Sequence, residues 1–490
     1  MILVLDLGSS STRAMLFDDA ANLIEGSVAR RAFQFNANNE DDPEAAIQRV
    51  TDVIAELQSA TLRQAQDAVS NHQPFDKLRT QSPITHLGLS CYATSLLALD
   101  ENRVPLTSIF TYADARCAED ARALRSQHDE LASLHRTGCR IRANYWPAKL
   151  AWLKRTQPEV FKRARWFCSL PEYVCWRLFG VFSTGISIAS WTGLLNREQG
   201  DWDEAWLQVL QIRGEQLPEV MSHESRVMLN GYPVQLHPAV GDGAAANIGS
   251  GCTDTSAIAV TIGTTAAMRV VRPITNNQQP ITSPSLWNYR VDFTHELTGG
   301  ATTEGGSVFA WAQRMLNLPF QGQGVLEGDL HQQEPDAHGL TVLPMFAGER
   351  SPGYAEDVRA TLHGLSLDTT AIEIARALLE AVAYRLAMIH DSLRELAAPN
   401  AVLVGSGGAL VASPTWCQII ADVTNTPLLI SDEAEATAKG AAKLAIGHWL
   451  SAGVLPIANS QWMRFEPDST SHKIYRAAMV RQQELYDKLI

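Results

Sequence analysis

The chain has 490 residues, with 40 Lys and Arg against 53 Asp and Glu, a formal charge of −13. Apolar residues make up 46% and charged residues 19%, which excludes a disordered chain, and at about 100–200 residues per domain two or more domains are expected. The acidic balance speaks against nucleic acid or an anionic membrane as partner, since either calls for a basic face.

Seven cysteines (Cys91, Cys117, Cys139, Cys168, Cys175, Cys252 and Cys417) are scattered without a CxxC pair. Reduced thiols in a cytosolic enzyme fit this better than a disulfide framework or a zinc site. No run reaches about 18 uncharged apolar residues, and Asp6 interrupts the first apolar run where a signal peptide would continue. A cytoplasmic protein is expected.

Residues 2–7 read as a buried strand, Gly8-Ser9-Ser10-Ser11-Thr12 as a tight turn, and Arg13 to Phe17 as a returning strand before a turn at Asp18-Asp19. Helical spacing runs from Pro43 to about Leu62, with Pro43 suited to the first turn. The polar stretch from Asn71 to Ser82 reads as a solvated surface loop. Thr85 to Leu99 returns to strand character, and Asp114 to Leu178 is mostly helical. Helices are expected after Pro147 and Pro171.

A second apolar strand, Ile258 to Ile262, ends in Gly263-Thr264-Thr265. Laid on the N-terminus it aligns with Leu3 to Leu7 and Gly8-Ser9-Ser10, a short internal repeat. The repeat divides the chain into 1–248 and 249–490, although any buried strand ending in Gly-Ser or Gly-Thr would align as well. Thr370 to His390 is helical, Ala401 to Val404 a strand, and Trp416 to Val423 a helix behind Pro414. Strands alternating with helices in both halves predict an α/β architecture.

Asp6 closes a strand just before a turn of glycine and hydroxyls. Such a turn lets backbone N–H groups converge on phosphate oxygens, and a carboxylate beside it can hold hydrated Mg²⁺; an Asx-type hairpin turn is the alternative. Gly263-Thr264-Thr265 repeats the feature without the acid, and two such turns facing each other would grip a polyphosphate from both sides. Gly405-Ser406-Gly407-Gly408-Ala409 matches neither the dinucleotide fingerprint nor a Walker A loop. It suits backbone passing close to an adenine or ribose, or a close strand–helix packing turn. Asp242, between Gly241 and Gly243, is either a base that takes a hydroxyl proton or a helix N-cap. Ser90 lacks the second glycine of a nucleophile elbow, and the 13 histidines show no metal-ligand spacing.

In order along the chain, these motifs resemble the FGGY family of carbohydrate kinases, within the actin-like ATPase superfamily. The matching pieces are Leu5 to Arg13, Thr111-Tyr112-Ala113-Asp114-Ala115-Arg116, Thr184 to Leu194, Gly241 to Asn247, Ile262 to Thr265, Gly299-Gly300-Ala301, Ala347 to Pro352 and Gly405 to Ala409. The resemblance implies two ribonuclease-H-like domains with a nucleotide cleft between them, and Mg-ATP as phosphoryl donor. The nucleotide would meet Gly8, Ser9, Ser10, Ser11, Thr12, Gly263, Thr264, Thr265, Gly305, Gly407, Gly408 and Ala409. It casts Asp242 as general base and Asp6 as a Mg²⁺ anchor through water. Tyr92, Ala93, Thr94, Asp114, Arg116 and Asp242 would contact the sugar.

Within the family, His135 to Cys139, Pro147 to Leu153, Ser169 to Tyr173 and Gly243 look most like gluconate kinases. Ala93-Thr94 and Thr303-Glu304 depart from that branch, and Glu304 would repel a sugar acid if it faced the pocket. A xylulose- or ribulose-type kinase, a non-catalytic ATP-binding carbohydrate sensor, and an actin- or chaperone-like ATPase are the alternatives. The implied partner is a small sugar or sugar acid, and the resemblance allows a homodimer.

Overall fold

The computed structural model describes residues 1–70, 83–275, 283–318, 323–447, 449 and 462–490. The loop expected at Asn71 to Ser82 lies outside the described residues. β1 (Ile2–Leu7) is buried along its whole length, as the continuous apolar run of a central strand demands. β2 (Ser11–Phe17) returns antiparallel, with Asp6 opposite Arg13 and Leu7 opposite Thr12. A Cβ at Gly8 would lie 2.9 Å from the Ser11 carbonyl oxygen, so this turn needs glycine. β3 (Leu23–Ala32) and α1 (Pro43–Ser70) follow, the helix running two turns beyond the expected end.

Residues 85–99 do not form one strand. β4 (His86–Cys91) stops at Cys91, because Tyr92 to Thr94 turn away and Thr94 takes a left-handed φ of 58°. Beyond it come α2 (Trp146–Thr156), α3 (Ile186–Trp191), β5 (Ser225–Leu229), β6 (Tyr232–Leu236) and β7 (Val240–Gly241). The first sheet runs β5-β6-β4-β1-β2-β3, with β7 beside the end of β4.

The chain crosses to the second half along α4 (Asp242–Gly249). There β8 (Ala257–Ile262), β9 (Ala266–Pro273), β10 (Trp287–Arg290) and β11 (His295–Thr302) precede α5 (Gly306–Met315) and α6 (Ala371–Arg394). β12 (Val402–Ser406), β13 (Leu428–Ile430), α7 (Ala436–Ala445) and β14 (Met463–Phe465) complete it. The second sheet runs β10-β11-β9-β8-β12-β13-β14.

β8 is antiparallel to β9 and parallel to β12, just as β1 is antiparallel to β2 and parallel to β4. The short repeat read from sequence is therefore a duplicated α/β unit. The two units share a core in which Ile2, Val4, Val240 and Ile248 pack with Val271, Trp287, Leu297, Ala438 and Ala441.

At the crossing of α4 and α7 the backbones touch. A Cβ at Gly440 would lie 1.8 Å from the Ala245 carbonyl oxygen, and one at Gly249 would lie 1.7 Å from that of Ala436. Gly440→Val forces the helices apart, and because α4 begins at Asp242 the shift reaches the cleft. Overpacking against backbone costs about 3 kcal/mol, so thermal unfolding should start several degrees lower; an unchanged transition would show that the crossing yields freely.

Candidate active site

Parallel strands bring three C-terminal ends of the first unit together. Asp6 lies in register with Ser90, and Cys91 with Gly241, so Asp6, the turn at Tyr92 to Thr94 and Asp242 follow one another at the same end of the sheet. This is the end of a parallel sheet where ligands bind. Asp6 is 2% exposed; its oxygens accept from Ser90 Oγ at 2.8 Å and meet the Arg13 guanidinium at 2.7 Å. Those partners replace the Asx-type turn. Arg13 also reaches Glu435 of the second unit at 2.6 Å, tying the units together beside the first hydroxyl turn.

Asp242 is the first helical residue of α4, behind Gly241 as the cap, so it is not an N-cap. Its Oδ1 accepts from the Gly243 amide at 2.7 Å. Burial pushes its carboxyl up to about 6, opposed by the Arg269 guanidinium and reinforced by the Asp6 charge. The flanking glycines have a packing cause: a Cβ at Gly241 or Gly243 would lie 2.7 or 2.8 Å from the Trp191 ring. Trp191 in turn stacks on Tyr289 at 4.4 Å, which stacks on Trp287 at 4.3 Å, joining α3 to β10 across the units.

In the second unit, Gly263 to Thr265 link β8 to β9, and Gly263 N–H donates to Thr265 O at 3.0 Å. The start of α5 rests on this turn, with Gly306 N–H donating to Gly263 O at 2.7 Å and Ser307 N–H to Thr264 O at 3.2 Å. A Cβ at Gly305 would lie 2.6 Å from the Thr265 backbone. Gly407 has φ 101°, and a Cβ there would lie 2.4 Å from Ile262 O, so the Gly405 to Ala409 segment closes directly against the end of β8. A cavity of about 470 Å³ opens between Gly263, Thr264 and the α5 residues Gly306, Ser307, Ala310, Trp311 and Arg314. A larger cavity, about 680 Å³, lies behind β4 near His86 and His237 and meets none of the predicted site residues.

The residues expected to contact the sugar differ in what they leave free. The Tyr92 hydroxyl and Thr94 Oγ1 are buried without a hydrogen-bond partner, and Ala93 packs on the core shared by the units. Asp114 and Arg116 pair with each other, Nε to Oδ1 at 2.9 Å, while Arg116 also meets Glu40 and lies over the Trp152 ring at 4.6 Å. Glu304 is 5% exposed and accepts from Ala347 N–H at 3.1 Å; burial pushes it up to about 7. Its carboxylate thereby props the 347–350 loop.

Several residues were missed in the sequence. Lys149, 1% exposed, donates to Thr94 O at 2.6 Å, and burial pushes its ammonium down to about 8. Ser90 and Arg13 hold Asp6, and Arg269 lies beside Asp242. Arg269 interrupts the apolar run of β9 at a position alternating with Met268 and Val270, and that break in periodicity is the one signal that could have found it.

Among the described residues no helix is long and apolar enough to cross a membrane. The chain is 26% identical over 502 residues to a gluconokinase of Bacillus subtilis (strain 168), covering 98% of this chain and 94% of the relative. It is 30% identical over 480 residues to a glycerol kinase of Polaromonas naphthalenivorans (strain CJ2), covering 92% and 91%. Its fold overlays that of a gluconate kinase from Lactobacillus acidophilus with a TM-score of 0.84 at 23% identity, covering 100% and 98%. Residues 1–235 match the N-terminal domain and residues 258–449 the C-terminal domain of the FGGY family of carbohydrate kinases. With the two family domains matched over most of its length and a duplicated α/β unit in each half, the chain belongs to the FGGY family of carbohydrate kinases.

Proposed function

We propose that this chain transfers the γ-phosphoryl group of ATP to a hydroxyl of a sugar acid, gluconate first among the candidates, with Asp242 as general base. The observation that carries the reading is the place of Asp242. It borders the Tyr92 to Thr94 turn, and its carboxyl is pushed up to about 6 by burial, so it is ionised at neutral pH yet more basic than an ordinary aspartate. Its proton acceptance balances the step: the sugar oxygen bonds to phosphorus, the bond from phosphorus to the bridging oxygen breaks, and ADP leaves.

Most of the remaining work is positioning and charge stabilisation. The turns at Gly8 to Thr12 and Gly263 to Thr265 offer backbone N–H groups to the phosphates, and the cavity beside Trp311 suits the nucleoside with Gly407, Gly408 and Ala409. Asp6 and Asp242 are close enough for their charges to oppose each other, and the Asp6 oxygens already meet Arg13 and Ser90. That arrangement fits a magnesium ion held through water rather than by direct ligation. When bound, the ion would offset the charge of the phosphoryl oxygens.

Full-length similarity to gluconokinases of two Bacillus species supports a sugar acid. The test is a coupled ADP-release assay with Mg-ATP over gluconate, other sugar acids, ketopentoses and polyols. Gluconate should give the largest kcat/KM. A response confined to xylulose or ribulose would make the chain a pentulose kinase, and tight ATP binding with no acceptor at all would make it a sensor.

A further inference from the structure

Resting on that reading, the site still needs a group to recognise the acid end of its substrate, and two guanidiniums, those of Arg269 and Arg350, make no ion pair among the described residues. Arg269 sits on β9 opposite Ala259 and Gly299, on the strand face that carries Val271 into the core between the units. Its Nε would lie 3.3 Å from a Cβ at Gly243, which places it directly over the start of α4. Its one hydrogen bond among the described residues goes to the neutral Thr261 hydroxyl at 3.2 Å, and no carboxylate lies within ion-pair distance. Burial holds it below the ordinary arginine range, with Asp242 opposing the shift and Arg350 reinforcing it.

Arg350 approaches from the 347–350 loop. That loop is fixed by Glu349, whose oxygens accept from Gly353 N–H at 3.2 Å and Tyr486 OH at 2.7 Å and which pairs with Arg385. The Arg350 side chain itself is exposed and makes no hydrogen bond or ion pair among the described residues. Its charge acts on Tyr145, Tyr289 and Tyr354 as well as on Arg269.

A guanidinium withdrawn from water without an anion is costly, and the charge of Arg350 adds to that cost at Arg269, which an anion bound near both would offset. The planar fork of arginine matches a carboxylate in two-point fashion. The transferring phosphoryl is the competing anion. On the proposed reading it has the two hydroxyl-rich turns, whereas the charge of Arg350 acts on Tyr145 and Tyr354. We propose that Arg269 and Arg350 together bind the carboxylate of the substrate and set a preference for a sugar acid over the neutral polyol of the same length.

The test compares D-gluconate with D-glucitol, which carries CH₂OH in place of the carboxylate, in the wild type, R269K, R269Q and R350Q. Each Gln variant should lower the ratio of acid to polyol kcat/KM by about 10- to 100-fold, through KM rather than kcat. R269K should restore part of the ratio. An unchanged ratio, or equal loss on both substrates carried by kcat, overturns the assignment and gives Arg269 to the phosphoryl group. R350Q touches an exposed side chain without contacts, so it decides the matter if R269Q fails to fold. A wild type active on ketopentoses and indifferent to every acid overturns the pair while the kinase reading stands. A wild type that phosphorylates nothing overturns the kinase reading instead; calorimetric titration of gluconate with Mg-ADP present then tests the pair, R350Q losing the binding if it is right and keeping it if it is wrong.

Discussion

Asp242→Asn should reduce kcat by about three orders of magnitude while ATP binding stays within a few-fold of wild type. General-base assistance typically contributes about 10²–10⁴-fold, and Asn keeps the shape of the side chain while accepting no proton. The same carboxylate should shape the pH dependence of the wild type. Because its pKa is raised from 3.8 to about 6, kcat/KM should fall tenfold per pH unit below about 6, the base being protonated there.

Stability should move the other way. An aspartate whose folded pKa lies above its unfolded value is stabilising at low pH, and that contribution is lost as pH rises from about 4 to about 6. At pH 7.5 the Asn variant should therefore melt no lower than wild type, which separates lost chemistry from lost fold. Near-normal turnover in Asp242→Asn, or a flat profile across pH 5–7, would remove Asp242 from the role of base.

What the sequence disclosed depended on how local each cause is. β1 and β8 were legible because an unbroken apolar run ended by glycine and hydroxyls has few other readings. The duplicated units were legible only as a faint alignment, since what they share is strand order rather than side chains. The glycines around Asp242 were visible, but their cause was not: Trp191, some fifty residues upstream, occupies the space a Cβ would need. Ser90 read as a failed nucleophile elbow because the parallel register of β1 and β4 brings it to its hydrogen-bond partner Asp6, 84 residues away in sequence. Asp114 and Arg116 read as sugar contacts, and the fold adds that they pair with each other, which two residues of separation in the sequence did not disclose. Whether a charged residue is spent or spare is a property of its tertiary neighbours, and this is why Arg269 and Arg350 emerge only with the fold.

The same dependence on distant backbone makes Gly305→Ala the other large effect to expect. Gly305 stands immediately before α5, and an added Cβ would meet the Thr265 carbonyl carbon at 2.6 Å and its oxygen at 2.7 Å. Neither atom can step aside as a flexible side chain would, because the turn is pinned on both sides: Gly263 N–H bonds within it, and Gly306 and Ser307 bond back to it. The methyl must therefore push Gly263 to Thr265 away from β8 or lift α5 off the turn. Either movement displaces the backbone N–H groups that would face the phosphates, and a displacement of about 1 Å in a positioning group costs about 10²-fold in rate. The loss should appear as a higher KM for ATP together with a lower kcat. Acceptor binding, which the proposed reading builds on Asp242 and the Tyr92 to Thr94 turn of the other unit, should change little. If instead Gly305→Ala weakens the acceptor and spares ATP, the second turn does not hold the phosphates, and the nucleotide must be bound chiefly by the Gly8 to Thr12 turn and Arg13.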